Sequence, residues 1–223
     1  MNRLAIFDLD HTLLPLDSDY EWGQFMCRVG VVDADAFARR NAIFYQQYQD
    51  GTLDPIEYLT FAFGTLAGFS KAQRETLHQQ FMQEVIEPAI TPAAQALVQR
   101  HQDDGDLTMI ITATNRFITA PIAQAFGVAH LIAAEPEMQA GELTGKPTGI
   151  PPFGAGKVTN LHAWLAARDT QLADFSTSTF YSDSQNDIPL LSLVTHPVAT
   201  NPNERLAQHA YAHGWPVLHL FND

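Results

Sequence analysis

Six short apolar runs, rich in β-branched and aromatic residues, are separated mostly by longer stretches of helical period, and this alternation limits the fold more than any other feature. They occupy residues 4–7, 107–111, 128–132, 179–181, 196–199 and 217–220. Apolar strands divided by helices suit a parallel sheet buried on both faces, so the prediction is an α/β chain with a doubly wound parallel sheet. Thr91-Pro92 and Asn201-Pro202 each place a capping side chain before a proline, whose missing N–H costs nothing at a first helical position, and so predict starts of core helices.

About eighty residues without a strand pattern separate the first two runs, far more than a simple crossover needs. Helical patterns near 19–28, 33–49, 55–67 and 70–87 fill the gap, with Gly30, Gly51 and Gly68 as stops and Asp54-Pro55 and Ser70 as caps. The expectation is an inserted four-helix cap domain, 16–87, over the open end of the sheet. Leu14-Pro15-Leu16 and Glu87-Pro88 would join it to a core made of 1–15 and 88–223. Residues 135–156, rich in Gly and Pro, are expected as loop or a small hairpin.

A net charge of −13 sets aside nucleic acid and anionic membrane surfaces as partners, because both demand Lys and Arg against phosphates. The same balance repels phosphorylated small molecules, so a site for one needs a local cation. No apolar segment approaches the roughly 20 residues of a membrane span, and the chain enters its first strand without a charged and apolar leader. Cys27 is the lone cysteine and, among Phe25, Met26 and Val29, is read as a core thiol, so a cytoplasmic, reducing location is expected. Oligomeric state leaves no mark in the sequence.

Four places carry chemistry. Phe7-Asp8-Leu9-Asp10-His11-Thr12-Leu13 ends a strand in two carboxylates one residue apart, where ligands of open α/β sheets bind. Acids this close repel, which favours a bound cation or a retained proton, although a strand-end turn with a helix cap reads the same way. Ser182-Asp183-Ser184-Gln185-Asn186-Asp187 follows another strand. Alone it is an Asx turn and cap; with the first motif it supplies the oxygen ligands that Mg²⁺ favours. Thr112-Ala113-Thr114-Asn115 ends a strand in a hydroxyl and small residues before a helix, which makes either a phosphate seat or a plain cap. Gly154-Ala155-Gly156-Lys157 fails as an ATP-binding loop, because Pro151 and Val158 stand where a glycine and a Mg²⁺-binding hydroxyl belong. Lys157 remains as a phosphate counter-charge or a solvated lysine. His209 and His213, four apart on a helix, lack a third ligand and are expected as a partly exposed pair.

In order, Asp8-Leu9-Asp10-His11-Thr12, Thr112, Lys157 and Asp183 with Asn186-Asp187 resemble the four motifs of the haloacid dehalogenase superfamily. The helical insertion is similar to the cap of its phosphoserine-phosphatase branch, so the resemblance covers essentially the whole chain. It implies a Rossmann-like core and a Mg²⁺-dependent phosphomonoesterase acting on a small-molecule phosphate ester. It implies Asp8 as the nucleophile that becomes an aspartyl phosphate, and Asp10 as the acid for the leaving alkoxide and then the base for water. Asp8, the Asp10 carbonyl and Asp183 would hold Mg²⁺, with Asp187 bonded behind them. Thr112, Ala113, Asn115 and Lys157 would hold phosphoryl oxygens, with Asn186 near phosphate or substrate. Carbon–halogen-cleaving members lack the second acid and need no Mg²⁺, so Asp10 favours phosphoryl transfer. A phosphotransferase or mutase is another reading, as is an inactive phosphate-binding module; the latter usually loses Asp8, Asp10 or Lys157, and all three are present.

The phosphoserine enzymes hold the substrate amine with an acid after the first motif, matched here by Asp17. They hold its carboxylate with a cap arginine, at whose position Ala62 falls when Asp50-Gly51-Thr52-Leu53 is aligned. Without that clamp a substrate carboxylate is uncompensated, and Arg39 and Arg40 are the candidates to replace it. Asp17, Asp19 and Glu21 interleave with Tyr20 and Trp22, with Phe61 and Phe63 further on. Such a lining suits a cationic substrate, though most of these rings are expected in the bundle core. A phosphate ester with an amine and no carboxylate fits best: histidinol phosphate first, phosphoserine as the alternative.

Overall fold

The computed structural model of the chain describes residues 3–221; Met1, Asn2, Asn222 and Asp223, the outer ends of the expected core segments, lie outside them. Seven strands form one sheet in the order β4-β3-β2-β1-β5-β6-β7. They are β1 Arg3–Phe7, β2 Leu107–Asn115, β3 His130–Gln139, β4 Glu142–Thr148, β5 Thr177–Ser182, β6 His196–Thr200 and β7 Val217–Leu218. Neighbours pair in parallel except β3 and β4, which are antiparallel. β1 is central, between β2 and β5, and the winding reverses there, so its carboxyl end opens at the switch point of the sheet.

One segment exceeds the prediction, and another takes the hairpin form of its two expected alternatives. β2 runs on to Asn115, and residues 135–156 contribute the outer half of β3 and all of β4, a hairpin turning through Ala140 and Gly141 at φ 50° and 86°. Pro136 and Pro147 face each other across that hairpin. β4 is an edge strand, where the missing N–H of Pro147 is tolerated, so the proline is compatible with the expected hairpin.

Between β1 and β2 the chain is helical: α1 Ser18–Arg28, α2 Ala34–Asp50, α3 Pro55–Ala67 and α4 Lys71–Phe81. Asp17, Asp33, Asp54 and Ser70 cap these helices by accepting backbone N–H bonds, each cap contributing about 1 kcal/mol. Gly51 stops α2 in the left-handed conformation, φ 71°, whereas Gly68 ends α3 at φ −69° in a tight turn closed by Phe69 N–H on Leu66 O. Glu87-Pro88, the expected joint, lies in helical backbone instead, because a π-helical turn, Met82–Ile86, and a further turn, Glu87–Ala89, continue α4. Trp22, Phe25, Phe63 and Phe81 share one apolar cluster with Phe7 of the sheet, each ring contributing roughly 1.5–3 kcal/mol by its burial. Cys27 is partly exposed rather than core: it lies about 100° around α1 from Met26, off the face that Trp22, Phe25 and Met26 bury.

The sheet is flanked by α5 Pro92–Asp103, α6 Arg116–Ala125, α7 Ala155–Ala166, α8 Ile188–Leu191 and α9 Glu204–His213. In β1 the period of two sends Ala5 and Phe7 to a cluster with Leu97 and Ile122, and Leu4 and Ile6 to another with Leu161, Leu190 and Leu206. Thr91 caps α5 as predicted, but Asn203, not Asn201, caps α9. Asn201 is at φ 46°, where its amide donates to His11 O at 3.1 Å and Thr12 O at 3.3 Å and its oxygen accepts from Leu220 N at 2.7 Å. It braces the loop after β1, a role that a local cap pattern does not reveal.

Candidate active site

Asp8 is the residue after β1, its N–H bonded to Tyr181 O at 2.9 Å, and it is 5% exposed. Lys157 reaches it from the first turn of α7. The two glycines before Lys157 set that approach: Gly154 has φ 53°, and a Cβ on Gly156 would lie 2.1 Å from Pro151 O. Lys157 Nζ donates to Asp8 Oδ1 at 2.8 Å and to Asp187 Oδ2 at 2.7 Å, fully buried. Burial alone would lower the lysine pKa, but the two carboxylates outweigh it and raise it, so the ammonium is charged.

The loop after β5 brings the late acids in. Asp187 also accepts from Ser182 Oγ at 2.6 Å. Thr12 stitches the first and last motifs together, accepting Asp183 N–H at 3.0 Å and lying 3.2 Å from Asp183 Oδ1 and 3.5 Å from Asp8 Oδ2. Burial, then the charges of Asp8 and Asp187, push Asp183 well above the usual carboxylate range.

Asp10 points the other way. Its Oδ1 accepts from Ser18 N at 2.8 Å, in the first turn of α1, and its Oδ2 from Thr114 Oγ1 at 2.8 Å. Burial and the neighbouring Asp17 raise its pKa to about 6, within the range that serves an acid in one half-reaction and a base in the next.

Asp8, Asp10, Asp17, Thr112, Ala113, Lys157, Asn186 and Asp187 all line one cavity between the sheet and the helical segment. Thr112 is buried and accepts Thr114 N–H at 3.1 Å. Asn186 keeps a buried Nδ2 without a hydrogen-bond partner among the described residues. Asn115 does not join them: it caps α6 through Ile118 N and donates to Asp19, so its amide is committed to packing one helix against another. Asp17 spends one oxygen on the α1 cap, at 2.8 and 3.0 Å. The sequence offered little sign of Thr114 or Ser182, hydroxyls that matter only through the distant acids they touch.

Of the aromatic residues read from the sequence, only some line the cavity, as expected. Tyr20 is present, but Trp22 and Phe63 are core, and the other rings are Phe44, Tyr45, Tyr48, Tyr58 and Phe153. Among the described residues no arginine lines the cavity. Arg39 is exposed, and Arg40 pairs with Glu57 at 2.5 Å over the Phe44 ring. Burial raises Asp17 and lifts Asp19 to about 8, with the charges of Asp17 and Asp10 adding to the shift at Asp19.

Among the described residues no three His, Cys, Asp or Glu side chains are arranged to hold a metal ion by themselves. Asp10 has turned its carboxyl to Ser18 and Thr114, and Asp187 is engaged by Lys157 and Ser182. That leaves the carboxylates of Asp8 and Asp183, both within reach of the Thr12 hydroxyl and repelling each other, a donor set and a charge that suit a hard divalent cation completed by carbonyl and water oxygens. His209 and His213 stack at 3.9 Å on α9 without a third ligand.

Residues 5–192 match the family model described as haloacid dehalogenase-like hydrolase. A histidinol-phosphatase of Neisseria meningitidis serogroup C is 44% identical, over 99% of this chain and 100% of its own. A phosphoserine phosphatase of Mycobacterium tuberculosis is 30% identical, over 97% of this chain and 70% of its own. A solved protein of unknown function from Bordetella pertussis Tohama I superposes with a TM-score of 0.95 at 48% identity, covering 99% of this chain and all of that one. A phosphoserine phosphatase solved as a phospho-aspartyl intermediate analogue shares the fold, with a TM-score of 0.69 at 16% identity over all of this chain and 95% of that one.

Proposed function

The chain belongs to the haloacid dehalogenase-like hydrolases, and from that premise we propose that it is a phosphatase cleaving histidinol phosphate through an aspartyl phosphate on Asp8. One observation carries the choice of substrate. The cavity holds two acids beyond the reacting centre, half-buried Asp17 and buried Asp19, among aromatic rings, and among the described residues its lining includes no cation besides Lys157. A substrate carboxylate there would be buried beside two acids without a counter-ion, whereas amine and imidazole N–H groups find acceptors.

In this reading the Asp8 carboxylate attacks phosphorus, and Lys157 and the Thr112 hydroxyl hold the phosphoryl oxygens as charge shifts toward the leaving group. Asp10, oriented by Ser18 N–H and Thr114, gives its proton to the departing alkoxide and then takes one from the water that cleaves the intermediate. Mg²⁺ is the proposed cation; Asp8, Asp183 and the Asp10 carbonyl would hold it, and it would offset the repulsion between a carboxylate and a phosphate dianion.

Phosphoserine is the second reading, favoured by the 30% identical phosphoserine phosphatase and opposed by the missing arginine. Comparing kcat/KM for the two esters decides between them: at least a tenfold preference for histidinol phosphate is expected, and the reverse preference refutes the assignment. Release of free phosphate without an added alcohol acceptor excludes a mutase.

A further inference from the structure

The phosphoryl-transfer steps make no use of the buried carboxyl of Asp19. Asp19, in the first turn of α1 and 6% exposed, lines the active-site cavity and also an adjoining recess with Trp22, Phe61, Ala62 and Thr65. Its Oδ1 takes a long bond from Asn115 Nδ2, 3.3 Å, and the Tyr58 hydroxyl interacts with the carboxyl, while Oδ2 makes no hydrogen bond of ordinary geometry among the described residues. Trp22 Nε1, one turn further along the same helix and also in the wall of the recess, is buried without a hydrogen-bond partner among the described residues. Among the described residues no lysine, arginine or histidine lines the recess. Buried polar groups are almost always satisfied, so two unmet atoms at one recess point to something that binds there.

We propose that Asp19 determines specificity by accepting an N–H from the nitrogen-bearing end of the substrate remote from the phosphate, separately from the amine that Asp17 faces. The proposal rests on the phosphatase reading and refines it to esters with two nitrogen groups. Asp17 lines the cavity alone, whereas Asp19 stands where the cavity meets the recess, so the two acids serve different parts of one ligand. Tyr58 lines both spaces and offers a planar wall to a ring seated in the cavity, and Ala62 brings no charge to the narrow recess beside it. An ester that lacks the second nitrogen leaves Oδ2 unpaired, which is how a buried polar group rejects an analogue.

The test measures kcat/KM of the wild type and Asp19→Asn on three esters. Histidinol phosphate has an amine and a ring, phosphoethanolamine an amine only, and p-nitrophenyl phosphate neither. The substitution should cost about 30-fold or more on histidinol phosphate and less than about threefold on the other two, whose retained rates also show that the variant folds. Equal losses on all three, or no loss on histidinol phosphate, overturn the proposal and leave Asp19 holding only a buried water. Should the variant not fold, the wild type decides: a preference for histidinol phosphate over phosphoethanolamine above about threefold supports Asp19, and a smaller one overturns it. A wild type inert to all three esters refutes the phosphatase reading and this proposal together, a pattern that no failure of Asp19 alone produces.

Discussion

Replacing Lys157 by Met keeps most of the side chain and removes the one cation among Asp8, Asp183 and Asp187. Each of its two contacts, at 2.8 and 2.7 Å, is worth roughly 6 kcal/mol of gross attraction at an effective dielectric of about 20. Desolvating the ammonium cancels much of that, and the net cost of leaving a buried pair without one partner is about 3–5 kcal/mol. The acids then stand unneutralised, so the loss should depend on pH with a definite sign. In the wild type the lysine pKa is raised, so its contribution is complete below the unfolded value of 10.5 and is lost only as pH rises through the folded one. In the variant the pH-dependent cost falls on Asp183 and Asp187, whose pKa is already raised by burial and neighbouring carboxylates. It is full above their folded pKa and shrinks as pH falls through it. Urea unfolding with a chelator present, at about pH 8 and about pH 5, measures both, and activity should fall with stability. A loss under about 1 kcal/mol, or one that does not shrink on acidification, would falsify the view that Lys157 neutralises this site.

Other outcomes follow from the same geometry. Asp10→Asn should slow turnover by about 10²–10⁴-fold and remove an ionisation near pH 6 from the kcat/KM profile. Protonated Asp10 is the acid, so in the wild type the rate with a poor leaving group should decline as pH rises above that value; a limb that survives in the variant belongs to another group. Dialysis against a chelator should abolish activity and added Mg²⁺ restore it, while activity that persists in the metal-free protein would remove the cation from the scheme. Asn201→Ala should cost about 2–3 kcal/mol, because it strips two carbonyls of the Asp8 loop of their donor and puts alanine at φ 46°; thermal melting with less than half that effect would deny the brace.

Much was legible in one dimension. The strand-helix alternation predicted the parallel sheet, and Asp8, Asp10 and Lys157 stood out because carboxylates and glycine-flanked cations at strand and helix ends follow local rules. Asp54-Pro55, Ser70 and Thr91-Pro92 read correctly as caps because the bonds that define them span three residues. Asn201-Pro202 carried the same pattern and meant something else, since its partners are about 190 residues away. Residues 135–156 read as loop or a small hairpin, and the pairing of β3 with the edge strand β4 decided for the hairpin.

Composition and local order thus determined which elements form and which residues carry charge to the end of β1. Only the folded chain decided how those charges are divided: Lys157 between Asp8 and Asp187, Thr12 beside Asp183, Thr114 on Asp10, Asn115 withdrawn to cap α6, and Asp19 left with an unmet oxygen. Hydrogen bonds and ion pairs act over about 3 Å, and which groups come that close depends on the packing of distant segments, so no local pattern encodes it.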